Sequence, residues 1–196
     1  TELVFRRIVD SSLLPEGAVQ LICGSLGDLF DHLECQDVVS FTGSASTARS
    51  LRQHASIIDR SVRFIAETDS INSSLLGPDV SREAPEFDLF VREVVREMTV
   101  KAGQKCTAIR KAIVPSERTA DVVAALQSAL AKIVVGDPRL ENVRMGPLAS
   151  VAQKREVLEQ VHKLRGDAEL VAGDAEKFQL TGGDRERGAF VPPMLL

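Results

Sequence analysis

The apolar positions along the chain predict helices and strands in alternation. Over residues 2–12, Leu3, Phe5, Ile8 and Val9 fall on roughly one face of a helix. "LLPEG" breaks that pattern, and "AVQLIC" at 18–23 reads as a short strand. Leu26, Leu29, Phe30 and Leu33 predict a short amphipathic helix over 25–33. "DVVSFTGS" at 37–44 reads as a buried strand ending in Gly-Ser. A helix over 45–54 and a second strand, "SVRFIAE" at 61–67, follow. Strands separated by helical stretches predict a parallel sheet with covered faces.

A second part begins near Thr68. "SINSSLLG" at 70–77 is strand-like. Residues 86–100 give the clearest helix, with Phe87, Phe90, Val91, Val94, Val95 and Met98 at three- and four-residue steps. Pro85 suits its first turn. A glycine-containing loop leads to a strand over 107–114. Helices over 119–133 and 150–165 come next, the second capped by Ser150. Residues 134–148 read as a long loop and 168–173 as strand-like; a polar Gly-rich loop and an apolar end, "FVPPMLL", close the chain. The fold class is α/β. The opening inside a helix and the apolar end read as an excised segment of a longer protein.

Composition narrows the function classes. With 44% hydrophobic and 27% charged residues the chain is globular. A net charge of −4 gives no basic field for nucleic acid, and the absence of Tyr and Trp leaves no base-stacking platform. No apolar run has the length of a membrane span, and the start lacks a signal-peptide pattern. Three widely spaced cysteines fit reduced thiols of a cytosolic protein better than a disulfide framework. No Cys/His cluster has zinc-ligand spacing, so no metal is expected; His32, His54 and His162 read as surface residues.

Three places could carry chemistry. Cys106 lies between Lys101, Lys105, Arg110 and Lys111, whose positive potential favours a thiolate, and Gly103 lets the backbone turn beside it. By composition alone a lone cysteine is an inert apolar filler, so both readings stand at this point. Glu67 ends an apolar strand, where an open α/β sheet faces its ligand crevice; the competing reading is a solvated strand end, and Asp69 shares the ambiguity. "SFTGS" is a strand–Gly–helix junction that can offer N–H groups to an anion, although such turns also form for steric reasons alone. Cys23 reads as core packing, and Cys35 has no assigned role.

In that order, "SFTGS", "FIAETDS", "GQKC", "GDP…MGPL" and "GG…GAFVPPMLL" resemble the aldehyde dehydrogenase superfamily over essentially the whole chain. The chain departs from the family pattern in Ala48, in Thr68-Asp69-Ser70 after Glu67 where the family has a residue and two glycines, in a longer Glu67–Cys106 spacing, and in Met194. Within the superfamily it looks most like the aldehyde dehydrogenase half of the bifunctional ring-opening enzymes of phenylacetate degradation. The semialdehyde dehydrogenases of benzoyl-CoA degradation are close relatives. The resemblance implies the C-terminal part of a Rossmann-type NAD(P)-binding domain over 1–68 and the N-terminal part of an α/β catalytic (thiol) domain over 69–196, both incomplete.

It also implies that Cys106 is the nucleophile and Glu67 the base, and that Thr42, Gly43 and Ser44 lie against NADP or NAD, at its pyrophosphate or nicotinamide end. The implied substrate is a small aldehyde, a CoA-thioester semialdehyde, and the full-length protein is implied to be a homo-oligomer. A redox or thioester-forming protein without a nicotinamide, and a non-catalytic interaction module, are the competing readings. The family's oxyanion-hole Asn and its two cofactor-ribose ligands match nothing in these residues. The chain by itself is therefore expected to form little or no NAD(P)H from an aldehyde; appreciable production, followed by absorbance, would contradict this.

Overall fold

The computed structural model describes residues 1–196. The chain divides into two units, Thr1–Asp69 and Ser70–Leu196. In the first, strands β1 (Val38–Thr42) and β2 (Arg63–Glu67) pair in parallel, with Thr42 opposite Glu67. Exposed and half-buried residues alternate along both strands. On the half-buried face Phe41 and Phe64 stack at 6.5 Å between centroids. The connection runs through helices α2 (Ala45–Arg52) and α3 (Ala55–Asp59). Ser44 ends the strand turn and starts α2, its Oγ accepting from the Thr47 N–H at 3.1 Å. His54 caps α3, its Nδ1 accepting from the Ser56 N–H at 3.3 Å, and sets its ring edge-on to Phe30. His54 is therefore a half-buried cap and not a surface residue; His32 and His162 are exposed as expected.

Two further expectations fail in this unit. Residues 18–23 form turn and coil, and Cys23 is exposed rather than packed in a core. A strand needs backbone partners, and apolar character alone does not supply them. The helix expected over 25–33 is reduced to one 3₁₀ turn, Leu29–His32, because Gly27 adopts the left-handed conformation at φ +57° where the helix would run. The predicted first helix does form, as α1 (Glu2–Asp10), with Leu3, Val4, Ile8 and Val9 exposed.

In the second unit β3 (Asn72–Leu75) and β4 (Ile109–Ile113) pair in parallel, with an irregularity between Asn72 and Ser73. Helix α4 (Pro85–Thr99) starts on Pro85 and packs Phe87, Phe90 and Val94 with Leu76 and with Val122 and Leu126 of α5 (Thr119–Leu130). Phe87 and Leu126 are completely enclosed. A second core gathers Val135, Met145, Leu148, Ala189, Phe190 and Val191. It lies beside the short parallel pair β5 (Val135–Gly136) and β6 (Leu180–Thr181), within stretches expected to be loop. Ser150 caps α6 (Val151–Leu164), its Oγ accepting from the Gln153 N–H at 3.1 Å. Residues 168–173 contribute only a bridge, Ala172 to Leu195.

The strands form three separate parallel pairs; the parallel pairing expected of the first part is present in β1–β2, but its faces are not fully covered. Val38, Ile65, Leu75 and Ile113 remain exposed, because β1, β2 and β3 only half-bury alternate residues and β4 is exposed along most of its length. No helix is long and apolar enough to cross a membrane.

The "GDP" and "GG" motifs have packing explanations. A Cβ on Gly136 would lie 1.9 Å from the Thr181 carbonyl oxygen. Next to it, the Asp137 N–H donates to the Gly182 carbonyl at 2.8 Å. Hydrogen bonds from Arg139 hold the Asp137 carboxyl down at about 2. The folded state thus favours the carboxylate. That contribution is present at neutral pH, above the ordinary carboxylate value of 3.8, and is lost as pH falls toward about 2. Gly136→Ala forces β5 and β6 apart and is expected to cost about 2–4 kcal/mol in urea unfolding. A loss below about 0.5 kcal/mol would show that this contact does not constrain the fold.

Candidate active site

At the C-terminal end of α4 the backbone turns left-handed for three consecutive residues: Lys101, Ala102 and Gly103 have φ of 54°, 53° and 69°. Only the glycine adopts this at little cost. Even there an added Cβ would sit 3.2 Å from the Met98 carbonyl oxygen. The turn delivers Cys106 to the surface just before β4.

Side chains from several directions hold this turn. Gln104 Nε2 donates to the Lys101 carbonyl at 3.0 Å, and its Oε1 accepts from the Ala149 N–H at 2.8 Å. Lys105 Nζ donates to Glu97 Oε1 at 2.7 Å, in a pair only 19% and 16% exposed. Ser70 Oγ and Asn72 Nδ2 both donate to the Cys106 carbonyl, the latter at 2.7 Å. The Cys106 N–H itself donates to no protein group. An apolar cleft of about 780 Å³, lined by Cys106 with Met145, Leu148, Val157 and Pro193, opens beside the turn.

The pairing of Lys105 with Glu97 changes the expected electrostatics. The Lys105 charge is largely spent on Glu97, so its share of the positive potential at the sulfur is reduced. Arg110 lies against the turn, donating to the Lys105 carbonyl at 3.4 Å.

In the first unit the remaining candidates gather at the carboxyl ends of β1 and β2. Thr42 and Glu67 are register partners, and the Gly43 N–H donates to the Glu67 carbonyl at 3.1 Å. The Glu67 side chain is exposed. Gly43 has a steric reason to be glycine: a Cβ there would meet the Phe41 ring at 2.5 Å. Asp69 has a role that sequence reasoning did not find, its Oδ2 accepting from the Ala45 N–H at 3.0 Å. A carboxylate thus already occupies the first turn of α2, and Ser44 holds the Thr47 N–H. A second anion at that helix end would meet repulsion.

Every residue of the chain, 1–196, matches the model of the aldehyde dehydrogenase family. The chain belongs to the aldehyde dehydrogenase family. It is 48% identical, over 189 residues and 96% of its length, to the 3,4-dehydroadipyl-CoA semialdehyde dehydrogenase of Aromatoleum evansii. It is 27% identical over 183 residues to the geranial dehydrogenase of Castellaniella defragrans, which covers 92% of the chain. It spans 37% and 35% of the lengths of these two relatives.

Among solved structures, aldehyde dehydrogenase C of Pseudomonas syringae, in complex with NAD+ and octanal, superposes with a TM-score of 0.80 at 28% identity, over 98% of this chain and 38% of that one. Betaine aldehyde dehydrogenase of Staphylococcus aureus, in complex with NAD+, shares the fold at a TM-score of 0.80 and 24% identity, over 98% of this chain and 37% of that one. The α/β class expected for this aldehyde dehydrogenase family member is the class observed.

Residues missed from the sequence are those that support the turn. Ser70, Asn72, Gln104 and Glu97 act through hydrogen bonds to backbone or to each other's neighbours. Gln104 alone had a signal, its place in "GQKC".

Proposed function

We propose that the chain carries the nucleophile and the base of an NAD(P)-dependent oxidation of an aldehyde to a carboxylic acid. The observation that supports this most is the Cys106 turn: an exposed thiol in a fixed backbone, with an N–H that no protein group uses. In this reading the Cys106 thiolate attacks the aldehyde carbon and a C–S bond forms. The Cys106 N–H donates to the oxygen as it gains charge. A nicotinamide cofactor, when bound, would supply the hydride acceptor for that carbon, and Cys106 would then hold the acyl group as a thioester. Glu67 then accepts a proton from the water that attacks the thioester, releasing the acid and the free thiol. Glu67 as base for water favours hydrolysis to the acid over acyl transfer to free CoA.

The cofactor fits the carboxyl ends of β1 and β2 at its nicotinamide end. Thr42, Gly43 and Ser44 present a small, polar rim there, and the Asp69 carboxylate suits the cationic ring better than the pyrophosphate. Thr1–Asp69 then belongs to the cofactor side and Ser70–Leu196 to the thiol side of the enzyme. The substrate class follows from the 48% identity to the Aromatoleum evansii relative: a CoA-thioester semialdehyde of aromatic catabolism. Phenylacetate-type and benzoyl-CoA-type subgroups share that class.

All three cysteines are exposed, so their alkylation rates compare reactivity and not access. Iodoacetamide followed by peptide mass analysis is expected to modify Cys106 at least about tenfold faster than Cys23 or Cys35 at neutral pH. Equal rates at all three would remove the support for Cys106 as nucleophile and favour a non-catalytic module.

A further inference from the structure

We propose that Ser70 and Asn72 are positioning residues for Cys106, acting through its carbonyl oxygen; the inference rests on Cys106 being the nucleophile. Two side-chain donors converge on that one oxygen, the Ser70 hydroxyl and the Asn72 amide at 2.7 Å. The same Asn72 nitrogen lies 3.2 Å from the Ala108 carbonyl and 3.3 Å from Ser70 Oγ. An amide NH₂ has two hydrogens, so it can serve the Cys106 and Ala108 carbonyls together while the Ser70 hydroxyl gives its own hydrogen to Cys106. One side chain thereby staples both ends of the turn at 106–108.

The staple sits where the backbone ladder fails. The β3–β4 register runs from Asn72↔Ile109 directly to Ser73↔Lys111, so Arg110 is passed over. Bulges of this kind occur beside active sites, where they re-aim a side chain. Here the side chain of Asn72 supplies hydrogen bonds to the turn that leads into the irregular ladder.

One consequence follows for the sulfur: the direction of the 106–107 peptide is fixed, and with it the place of the Cys106 Cα. The other charged groups around the turn are Lys101 within it, Lys105, paired with Glu97 of α4, and Arg110 and Lys111 of β4; β3 offers only uncharged side chains, and the α6 side of the cleft presents Gln153.

The test is the iodoacetamide labelling rate of Cys106 at one neutral pH, in a Cys23→Ser, Cys35→Ser background. Ser70→Ala and Asn72→Ala should each slow it by roughly 2- to 10-fold, the range expected for losing one hydrogen bond. Ser70→Thr, which keeps the hydroxyl, should stay within about twofold of the parent. Thermal midpoints of the Ser70 variants, recorded alongside, should agree within about 3 °C, so that the rate difference is not one of folding. Parent rates in both alanine variants, or a Ser70→Thr rate as slow as that of Ser70→Ala, would overturn the inference while leaving the functional reading intact. In the unsubstituted chain, a Cys106 no more reactive than Cys23 and Cys35 would overturn both.

Discussion

The site depends on a backbone that must be held against its preference. Lys101 and Ala102 both sit in the left-handed region, at about 1–2 kcal/mol each, immediately before the segment that presents Cys106. Gly103 completes the run, and Gln104, Lys105 and Cys106 are each tied to a different part of the second unit. Such strain persists only where the surroundings over-determine it. The surroundings here are α4, whose apolar face is buried against α5, and the loop at Ala149 that Gln104 reaches. Packing of Phe87, Phe90 and Val94 therefore fixes where α4 ends, and where α4 ends fixes where the thiol begins.

The first unit solves a different problem, bringing short polar residues to one edge. Parallel pairing puts Thr42 beside Glu67, and a side chain at position 43 would require the Phe41 ring to shift. Asp69 then takes the first N–H of α2. A turn that looks in sequence like a phosphate cradle is, in its geometry, already carrying a carboxylate. In the proposed reading, this favours the positively charged ring of the cofactor over its pyrophosphate at that turn.

Much of this was legible beforehand, for identifiable reasons. Helix α4 was plain because six apolar residues recur at helical spacing over a full face, and α6 was announced by Ser150. Strands β1 and β2 carried apolar runs and a partner, although they are half-buried on one face only and not buried throughout. "AVQLIC" carried apolarity without a partner and is coil. The pairs β5–β6 escaped notice because two-residue strands have no periodicity; Gly136 is their only trace. Cys106 and Glu67 were visible through their local motifs, whereas the Ser70–Asn72 staple depends on contacts across more than thirty positions, which no local pattern encodes.

The central claim, that the thiol at 106 takes the acyl group and the carboxylate at 67 releases it, can be read from one adduct. The chain would replace the corresponding stretch of the Aromatoleum evansii enzyme, with Glu67→Gln, and be given a CoA-thioester semialdehyde and NADP+ or NAD+ before peptide mass analysis. The account predicts one reduced cofactor per chain and a stable acyl group on the Cys106 peptide. Full turnover without an adduct, or an acyl group found on Cys23 or Cys35, would contradict it.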